Sequence, residues 1–158
     1  MTIIDYLQHQ PVAFVIVAGI LGLLIGSFLN VVILRLPVMM ERQWQTQCHE
    51  LLETADKKNP VQTSDERFDL VYPASHCPQC SHKITALENI PVLSDLILRG
   101  QCSSCGKTIP SRYPIIEATS GVLSVIVAWH FGMGWDAAAA LFLTWALISL
   151  TVIDFDHQ

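Results

Sequence analysis

The stretch Pro11–Leu34, PVAFVIVAGILGLLIGSFLNVVIL, contains no charged residue. As an α-helix it extends roughly 35 Å, enough to cross a hydrocarbon core of about 30 Å. A secretory signal is the alternative interpretation, but residues 1–10 contain no Lys or Arg, and the apolar run is longer than the apolar region of a signal. The run is followed by Arg35, Leu36 and Pro37 and not by the small residues of a cleavage site. We therefore predict a transmembrane helix here.

One face of this helix carries small residues. Ala18, Gly22, Gly26 and Asn30 recur every four residues and therefore share a face. Small residues in such a row allow two helix backbones to approach closely within a membrane. We predict that this face meets another helix, and we interpret Gly22-x-x-x-Gly26 as a packing feature.

Two further apolar runs, Tyr113–Phe131 and Ala137–Ile153, are each long enough to cross a bilayer. The segment Gly132-Met133-Gly134 lies between them and is typical of a turn. Because the connection is so short, the two runs are predicted to form a tight antiparallel hairpin. The first of them carries a second stripe of small or polar residues at helical spacing, namely Glu117, Gly121, Ser124 and Ala128.

The composition of the 158-residue chain agrees with a membrane location, since 51% of its residues are hydrophobic and only 15% are charged. Soluble domains have roughly a quarter of their residues charged. All nine Lys and Arg residues lie between Arg35 and Arg112, together with nine acidic residues, so the net charge of −5 comes from the flanks. We expect contact with membrane lipid and no nucleic-acid partner.

The basic residues also predict the orientation. Arg35 and Arg42 follow the first span, and Lys107 and Arg112 precede the second, whereas the other flanks have none. Lys and Arg close to a span mark its cytoplasmic side, so we expect residues 35–112 in the cytoplasm. The N-terminus and the turn at residues 132–136 then lie outside, and the third span returns its C-terminal end to the cytoplasm.

These patterns predict an all-α integral membrane protein with three transmembrane helices and a cytoplasmic loop between the first and second, which carries the cysteine motifs described below. The predicted divisions are residues 1–34, for the outer N-terminus and first span, and residues 35–112, for the cytoplasmic loop. Residues 113–158 form the third division, the transmembrane hairpin.

Four of the five cysteines form two pairs within the loop. Cys77-Pro78-Gln79-Cys80 is separated by 21 residues from Cys102-Ser103-Ser104-Cys105. Two Cys-x-x-Cys pairs at about this separation are typical of a tetrahedral zinc site with four thiolate ligands. Disulfides are the alternative, but a cytoplasmic loop is a reducing environment. A closed four-thiolate shell leaves no position for water, so the predicted zinc is structural.

Other residues near the pairs have more ordinary interpretations. His76 and His82 flank the first pair and are alternative ligands, although four cysteines already complete the shell. Gly100 and Gly106 supply the backbone freedom that such turns require. The remaining cysteine, Cys48, falls on one face of a predicted short amphipathic helix, and we interpret it as a buried apolar residue. That helix face also includes Trp44, Leu51, Leu52 and Ala55; Asn59-Pro60 is expected to end the helix, and a surface loop to follow as far as Asp69.

Three acidic residues lie in or next to the spans. A carboxylate that faces lipid is costly, so each marks either a functional site or the membrane boundary. From local sequence alone, Asp154 and Asp156 fit the boundary interpretation. Glu117 lies about a turn inside its span. It is either a packing residue, satisfied by neighbouring hydroxyls or extended to the interface, or a functional residue.

Several motifs together resemble the type IV prepilin peptidases, over the whole chain and in the same order. The first is GSFLNVVILRLP at residues 26–37. The others are Cys77-Pro78-x-Cys80, Glu88-Asn89-Ile90-Pro91, Cys102-x-x-Cys105, Arg112-Tyr113-Pro114-x-x-Glu117 and Ile153-Asp154-x-Asp156-His157-Gln158. The resemblance implies a bifunctional enzyme of the bacterial inner membrane whose sites face the cytoplasm. Such an enzyme cleaves the leader of type IV prepilins or type II secretion pseudopilins and then methylates the new N-terminal amine with S-adenosylmethionine.

The resemblance also assigns residues. It implies an aspartyl protease with two aspartates, of which the first corresponds to Asp154 and the second lies in a later Gly-x-Gly-Asp segment. This sequence has no such segment, because Gly132-Met133-Gly134 is followed by Trp135. We therefore expect the N-terminal portion of the enzyme, inactive alone. The zinc loop is implied to support substrate docking or methylation, and Gly100 is a weak candidate for close approach of cofactor or peptide.

Two other functions fit parts of the pattern. One is a non-enzymatic membrane protein whose zinc loop is an interaction module. The other is a transporter or channel that uses Glu117 and Asp154 as a proton path. A Gly-x-Gly-Asp block at a cytoplasmic helix end favours the protease, whereas further charges within the membrane without it favour transport.

Overall fold

The computed structural model describes residues 3–53, 69–70, 80, 90–92, 98 and 100–157. Four helices lie within these ranges: α1 (Ile3–His9), α2 (Pro11–Glu53), α3 (Arg112–Phe131) and α4 (Trp135–His157). The extended structure among the described residues is limited to an antiparallel bridge between Gln101 and Thr108. The all-α prediction is therefore confirmed for the described part of the chain.

Three of these helices, α2, α3 and α4, are long and apolar enough to cross a membrane. They coincide with the three runs predicted from the sequence. The hairpin between α3 and α4 is also present. Gly132 adopts a φ of 65°, which favours glycine, and its N–H donates to the carbonyl of Ala128 at 3.0 Å, so α3 stops there.

The first membrane helix is longer than the sequence predicted. α2 does not end at Arg35 or Pro37 but continues to Glu53, giving a helix of 43 residues and about 65 Å. Pro37 removes only one backbone hydrogen bond, the one to the carbonyl of Ile33. The residues after it are mostly good helix formers, so helical structure continues beyond the apolar stretch.

The separate amphipathic helix predicted around Trp44 and Cys48 is therefore the end of α2. The prediction that Cys48 is buried is wrong, because its side chain is exposed, as are those of residues 41–49. The physical reason is that α2 continues past the apolar core, whose α2 members are Ile25, Leu29 and Ile33. The rest of that predicted helix and its end, Ala55 and Asn59-Pro60, lie outside the described residues, as does the predicted loop up to residue 68.

The closest packing in the fold joins the two small-residue faces of α2 and α3. A Cβ atom on Gly26 would lie 2.8 Å from the Cα of Glu117, and one on Gly22 would lie 2.6 Å from the Cβ of Ser124. Both distances are shorter than real Cβ contacts allow. The prediction that the Gly22–Gly26 face packs against another helix is confirmed, and that helix is α3.

Hydroxyl groups complete this interface. Ser120 and Ser124 are fully buried. The Oγ of Ser120 donates to the carbonyl of Gly22 at 2.7 Å, and the Oγ of Ser124 donates to the carbonyl of Ser120 at 2.7 Å. The indole N–H of Trp145 donates to the Oγ of Ser124 at 3.0 Å, which connects α4 to the same cluster. The bonds from Ser120 to Gly22 and from Trp145 to Ser124 join different helices, and such bonds help helices associate where water is absent.

Towards the C-terminal end of α4 the three helices share an apolar core. Its buried members are Leu29 and Ile33 of α2 and Ile116 of α3. The partly buried residues that pack on it are Ile25, Trp145, Ile148, Val152 and Ile153. This core places one face of α4 against α2 and α3 as far as the last turn before Asp154.

Replacing Gly26 by Ala is expected to destabilise the helical bundle. The added methyl group meets the α3 backbone, which cannot move aside as a side chain can, and overpacking of this kind costs about 1–3 kcal/mol. The matched control is Gly134→Ala, because a Cβ there meets nothing within 4 Å. Thermal unfolding in detergent should show a lower Tm for the first variant only. Equal stability of the two variants would contradict the close approach of α2 and α3.

Candidate functional site

A short hairpin precedes α3 and presents the second cysteine pair. The N–H of Cys102 donates to the carbonyl of Lys107 at 2.8 Å, and the N–H of Gly106 donates to the carbonyl of Cys102 at 2.9 Å. Gly100 and Gly106 have φ values of 68° and 66°, in the left-handed region that glycine tolerates. The predicted need for glycine at these two positions is confirmed. The resulting turn leaves Cys105 exposed at its tip.

The hairpin brings three thiols together. The Sγ atoms of Cys80, Cys102 and Cys105 all lie within 4.8 Å of one another, and those of Cys80 and Cys102 are 3.9 Å apart. Sulfur atoms on a tetrahedral zinc ion with Zn–S bonds of about 2.3 Å are roughly 3.8 Å apart. The three thiols therefore fit a metal ion with thiolate ligands. Cys77, His76 and His82, the other residues predicted as ligands or alternative ligands, lie outside the described residues.

One side chain of α2 contacts the start of α3, and another contacts the loop. Asn30 is buried, and its Nδ2 donates to the carbonyl of Tyr113 in the first turn of α3 at 3.2 Å. The guanidinium of Arg35 donates to the carbonyl of Asp69 at 2.9 Å. Both residues belong to the motif at positions 26–37. The motif thus combines close helix packing with attachment of the loop backbone.

Glu117 provides a third connection. Its side chain is buried, and its Oε2 accepts a hydrogen bond of 2.8 Å from the backbone N–H of Val92. Val92 has a φ of 59°, which is rare for a β-branched residue and costs free energy unless the surroundings impose it. The carboxylate thus accepts a hydrogen bond from a backbone N–H of the loop. Any role of Glu117 in the chemistry stays a prediction.

The two aspartates at the end of α4 lie on different faces of that helix. Successive helical residues turn by about 100°, so Asp154 and Asp156 are separated by about 200°. Asp156 shares the packed face of α4 with Trp145 and Val152, and its carboxylate forms an ion pair with Arg112. Asp154 lies on the opposite, exposed face. Asp154 and Asp156 therefore have different surroundings, although local sequence gave both the same interpretation, that of marking the membrane boundary.

Sequence reasoning missed the contacts of two of these residues. From its charge, Arg112 was interpreted only as a basic residue on the cytoplasmic side of the second span. No role was assigned to Val92. Their partners, Asp156 and Glu117, are 44 and 25 residues away in the chain. One signal in the sequence could have indicated each contact. Arg112 begins the Arg112-Tyr113-Pro114-x-x-Glu117 motif, and Val92 directly follows Ile90-Pro91, the end of another motif.

Comparison with known proteins gives a consistent result. The family model described as "Bacterial Peptidase A24 N-terminal domain" matches residues 20–131. A Stutzerimonas stutzeri protein named "Prepilin leader peptidase/N-methyltransferase" is 52% identical over 158 residues, which are 100% of this chain and 53% of that protein. Proteins of the same name from Pseudomonas putida and Neisseria gonorrhoeae are 51% and 50% identical, over 100% and 89% of this chain and 53% and 48% of their own lengths. The chain therefore spans about half the length of these curated relatives. No solved structure matches the chain significantly.

The cysteine cluster should determine the metal content of the purified protein. Replacing Cys102 by Ser removes one thiolate from the cluster and should lower the bound metal from one ion per chain towards zero, measured by elemental analysis after gentle purification. The matched control is Cys48→Ser, since Cys48 is exposed on α2 and does not belong to the cluster. Equal metal loss in the control, or no metal in the unaltered protein, would refute the assignment.

Proposed function

Because the chain belongs to the family of bacterial peptidase A24 N-terminal domains, we propose that it is the N-terminal portion of a prepilin leader peptidase and N-methyltransferase. The whole protein cleaves the leader peptide of type IV prepilins or type II secretion pseudopilins and then methylates the new N-terminal residue. The observation that carries this proposal is the identity of about half of all residues over the full chain. The substrates are proposed partners, together with membrane lipid.

The proposed cleavage is that of an aspartyl protease, with Asp154 as one of the two carboxylates. Two neighbouring carboxyl groups do not both ionise readily, so one acts as a base while the other keeps its proton. The base activates a water molecule for attack on the scissile carbonyl, and the protonated partner polarises that carbonyl. The exposed position of Asp154 on α4 supports this role, since a second carboxylate can approach that face.

The proposed second aspartate belongs to a Gly-x-Gly-Asp segment, which this sequence does not contain. Asp156 is a poor substitute, since its carboxylate is paired with Arg112. Glu117 is also unsuited, because its carboxylate is buried and accepts a hydrogen bond from the backbone of Val92. The assignment of Asp154 itself rests on its position in the Ile153-Asp154-x-Asp156-His157-Gln158 motif.

The metal is proposed to be zinc, with Cys77, Cys80, Cys102 and Cys105 as its four ligands. The spacing of Cys80 and Cys102 supports zinc, and the fourth ligand follows from the sequence pattern. When bound, zinc would fix the hairpin and the loop segment around Cys80 to each other. A closed four-thiolate shell contributes to folding and not to the cleavage step.

Methyl transfer requires S-adenosylmethionine, and Gly100 is the proposed point of close approach. Its φ of 68° and the hydrogen bond from the N–H of Ile109 to its carbonyl, at 2.7 Å, already account for glycine at the base of the hairpin. Within the described residues, no feature favours a cofactor at Gly100 over this structural reason. Gly100 therefore stays a candidate on resemblance alone.

The proposed location is the bacterial inner membrane, with residues 35–112 and the Asp154 end of α4 in the cytoplasm. The three apolar helices support a membrane location. The proposed orientation follows from the basic residues next to the spans. It brings the metal hairpin and Asp154 to the same side of the bilayer.

Asp154→Asn is expected to abolish leader cleavage in a chimera that joins these 158 residues to the remaining part of the Stutzerimonas stutzeri relative. An amide is neither a base nor a shared acid at this position. Asp156→Asn should be milder, because Asp156 is paired with Arg112. Mass spectrometry of a prepilin substrate separates loss of the leader from the added methyl group. Near-normal cleavage by the Asp154→Asn chimera would defeat the assignment of Asp154.

The same assay tests the requirement for a second aspartate. The 158-residue chain alone, inserted in membranes and carrying its metal, should leave the prepilin uncut. Cleavage by this chain would require a catalytic partner among its own residues and a different mechanism.

The orientation is tested by labelling the chimera in intact cells with a membrane-impermeant thiol reagent. All five native cysteines of this chain lie between residues 35 and 112 and should be spared. The control is Trp135→Cys, since Trp135 is 92% exposed at the start of α4 and a cysteine there should react from outside. Reaction at native cysteines with no reaction at the introduced cysteine would reverse the assigned orientation.

A further inference from the structure

The ion pair between Arg112 and Asp156 joins two helix ends that carry unfavourable charges. Arg112 is the first residue of α3, and Asp156 lies in the last turn of α4. A cation at a helix N-terminus and an anion at a C-terminus are each opposed by the helix dipole. Neither charge therefore stabilises its own helix. Both side chains are also partly exposed, at 37% and 29%, and exposed ion pairs contribute little to stability. The pair is thus not explained by stability.

The pair joins the last turn of α4 to the first turn of α3. The apolar contacts of this helix extend only as far as Val152 and Ile153. Within the turn that follows them, the carboxylate of Asp156 forms an ion pair with Arg112 of α3. Because Asp154 is about 200° from Asp156 around the helix, tying Asp156 to Arg112 turns Asp154 away from α3.

The face that carries Asp154 is the exposed one along much of α4. Leu143, Leu147 and Leu150 lie at 11, 7 and 4 residues before Asp154 and share its face, and all three are exposed. Rotation of the helix end about its axis would move the carboxylate sideways, away from this face. Catalysis depends steeply on such placement, since a 1 Å error in position costs about 100-fold in rate.

We propose that Arg112 and Asp156 are positioning residues that set the direction of the Asp154 carboxylate. This inference rests on the proposed function, in which Asp154 is a catalytic residue. It assigns Asp156 a role that does not involve contact with the substrate. It also connects the hairpin of the metal cluster to the peptidase site, since Ile109, at the base of that hairpin, is three residues before Arg112.

The experiment is a reciprocal charge exchange in the chimera with the Stutzerimonas stutzeri relative. Arg112→Glu and Asp156→Arg should each lower kcat for leader cleavage by about 10-fold to 100-fold, with a smaller change in KM. The double variant Arg112→Glu/Asp156→Arg restores opposite charges at the two positions and should recover most of the lost kcat. Arg112→Lys keeps the charge and should lose less than Arg112→Glu.

The control variant removes a charge at the other end of α4. Asp136→Asn removes an exposed carboxylate far from the pair and should leave kcat unchanged, whereas Asp156→Asn should lower it. The proposal would be overturned if Arg112→Glu and Asp156→Arg both kept the kcat of the parent chimera. It would also be overturned if the kcat of the double variant were no higher than that of either single variant. The amount of each variant in the membrane and its metal content are measured in parallel, and loss of both in Arg112→Lys as well as in Arg112→Glu would assign the pair to folding and also overturn it.

Chemical cross-linking tests the geometry without any activity. With Cys48 replaced by Ser, a short bismaleimide should connect Arg112→Cys to Asp156→Cys more readily than to Asp154→Cys, as read by mass spectrometry. An inactive parent chimera that still gives this cross-linking pattern refutes the proposed function but keeps the geometry. Equal cross-linking to positions 154 and 156 refutes the geometry even in an active enzyme.

Discussion

The close approach of the α2 and α3 backbones is the constraint on which the rest of the structure depends. Gly26 leaves no room for a side chain against the Cα of Glu117. Because lipid is as apolar as a leucine side chain, two membrane helices gain from packing and hydrogen bonding and not from excluding water. The absence of side chains at Gly22 and Gly26 brings the backbones close enough for Ser120 to reach the carbonyl of Gly22. A larger residue at either position would separate the helices and leave buried hydroxyls without these partners.

The close packing of α2 against α3 also places the polar groups at the loop end of this interface. Asn30 lies one turn beyond Gly26, and Glu117 lies opposite Gly26, so the polar groups at this end of the interface are placed by the packing below them. Each is buried, and each makes its hydrogen bond to backbone: Asn30 to the carbonyl of Tyr113, and Glu117 to the N–H of Val92. A buried carboxylate without such partners would be costly. The burial of Asn30 therefore favours this packing of α2 on α3, and the burial of Glu117 favours this position of the loop at Val92.

Whether a feature of this structure could be predicted depends on how far apart its interacting residues lie in the sequence. The three spans, the glycine faces and the hairpin glycines depend on helical periodicity and local backbone conformation, so the sequence predicts them. Cys48 was misjudged because burial depends on a partner that local sequence does not reveal. The contacts of Val92 and Arg112 join residues 25 and 44 positions apart. Contacts between residues so far apart in the sequence can be inferred only when the packing of the helices is known. The polar contacts of the candidate site were missed for that reason.

The two faces of α4 have different surroundings. Its packed face, with Trp145 and Val152, completes the core formed with α2 and α3, and Asp156 extends that face to the ion pair with Arg112. Its other face carries Leu147, Leu150 and Asp154 and remains exposed. Leucines on that face are compatible with lipid, but a carboxylate is not, so the helix end is the favourable place for Asp154 on this face. A carboxylate at the boundary has access to water, which hydrolysis of a peptide bond requires, while the apolar residues below it hold the helix in the membrane. The division of α4 into a packed and an exposed face thus separates the residues that build the fold from the one proposed to perform the chemistry.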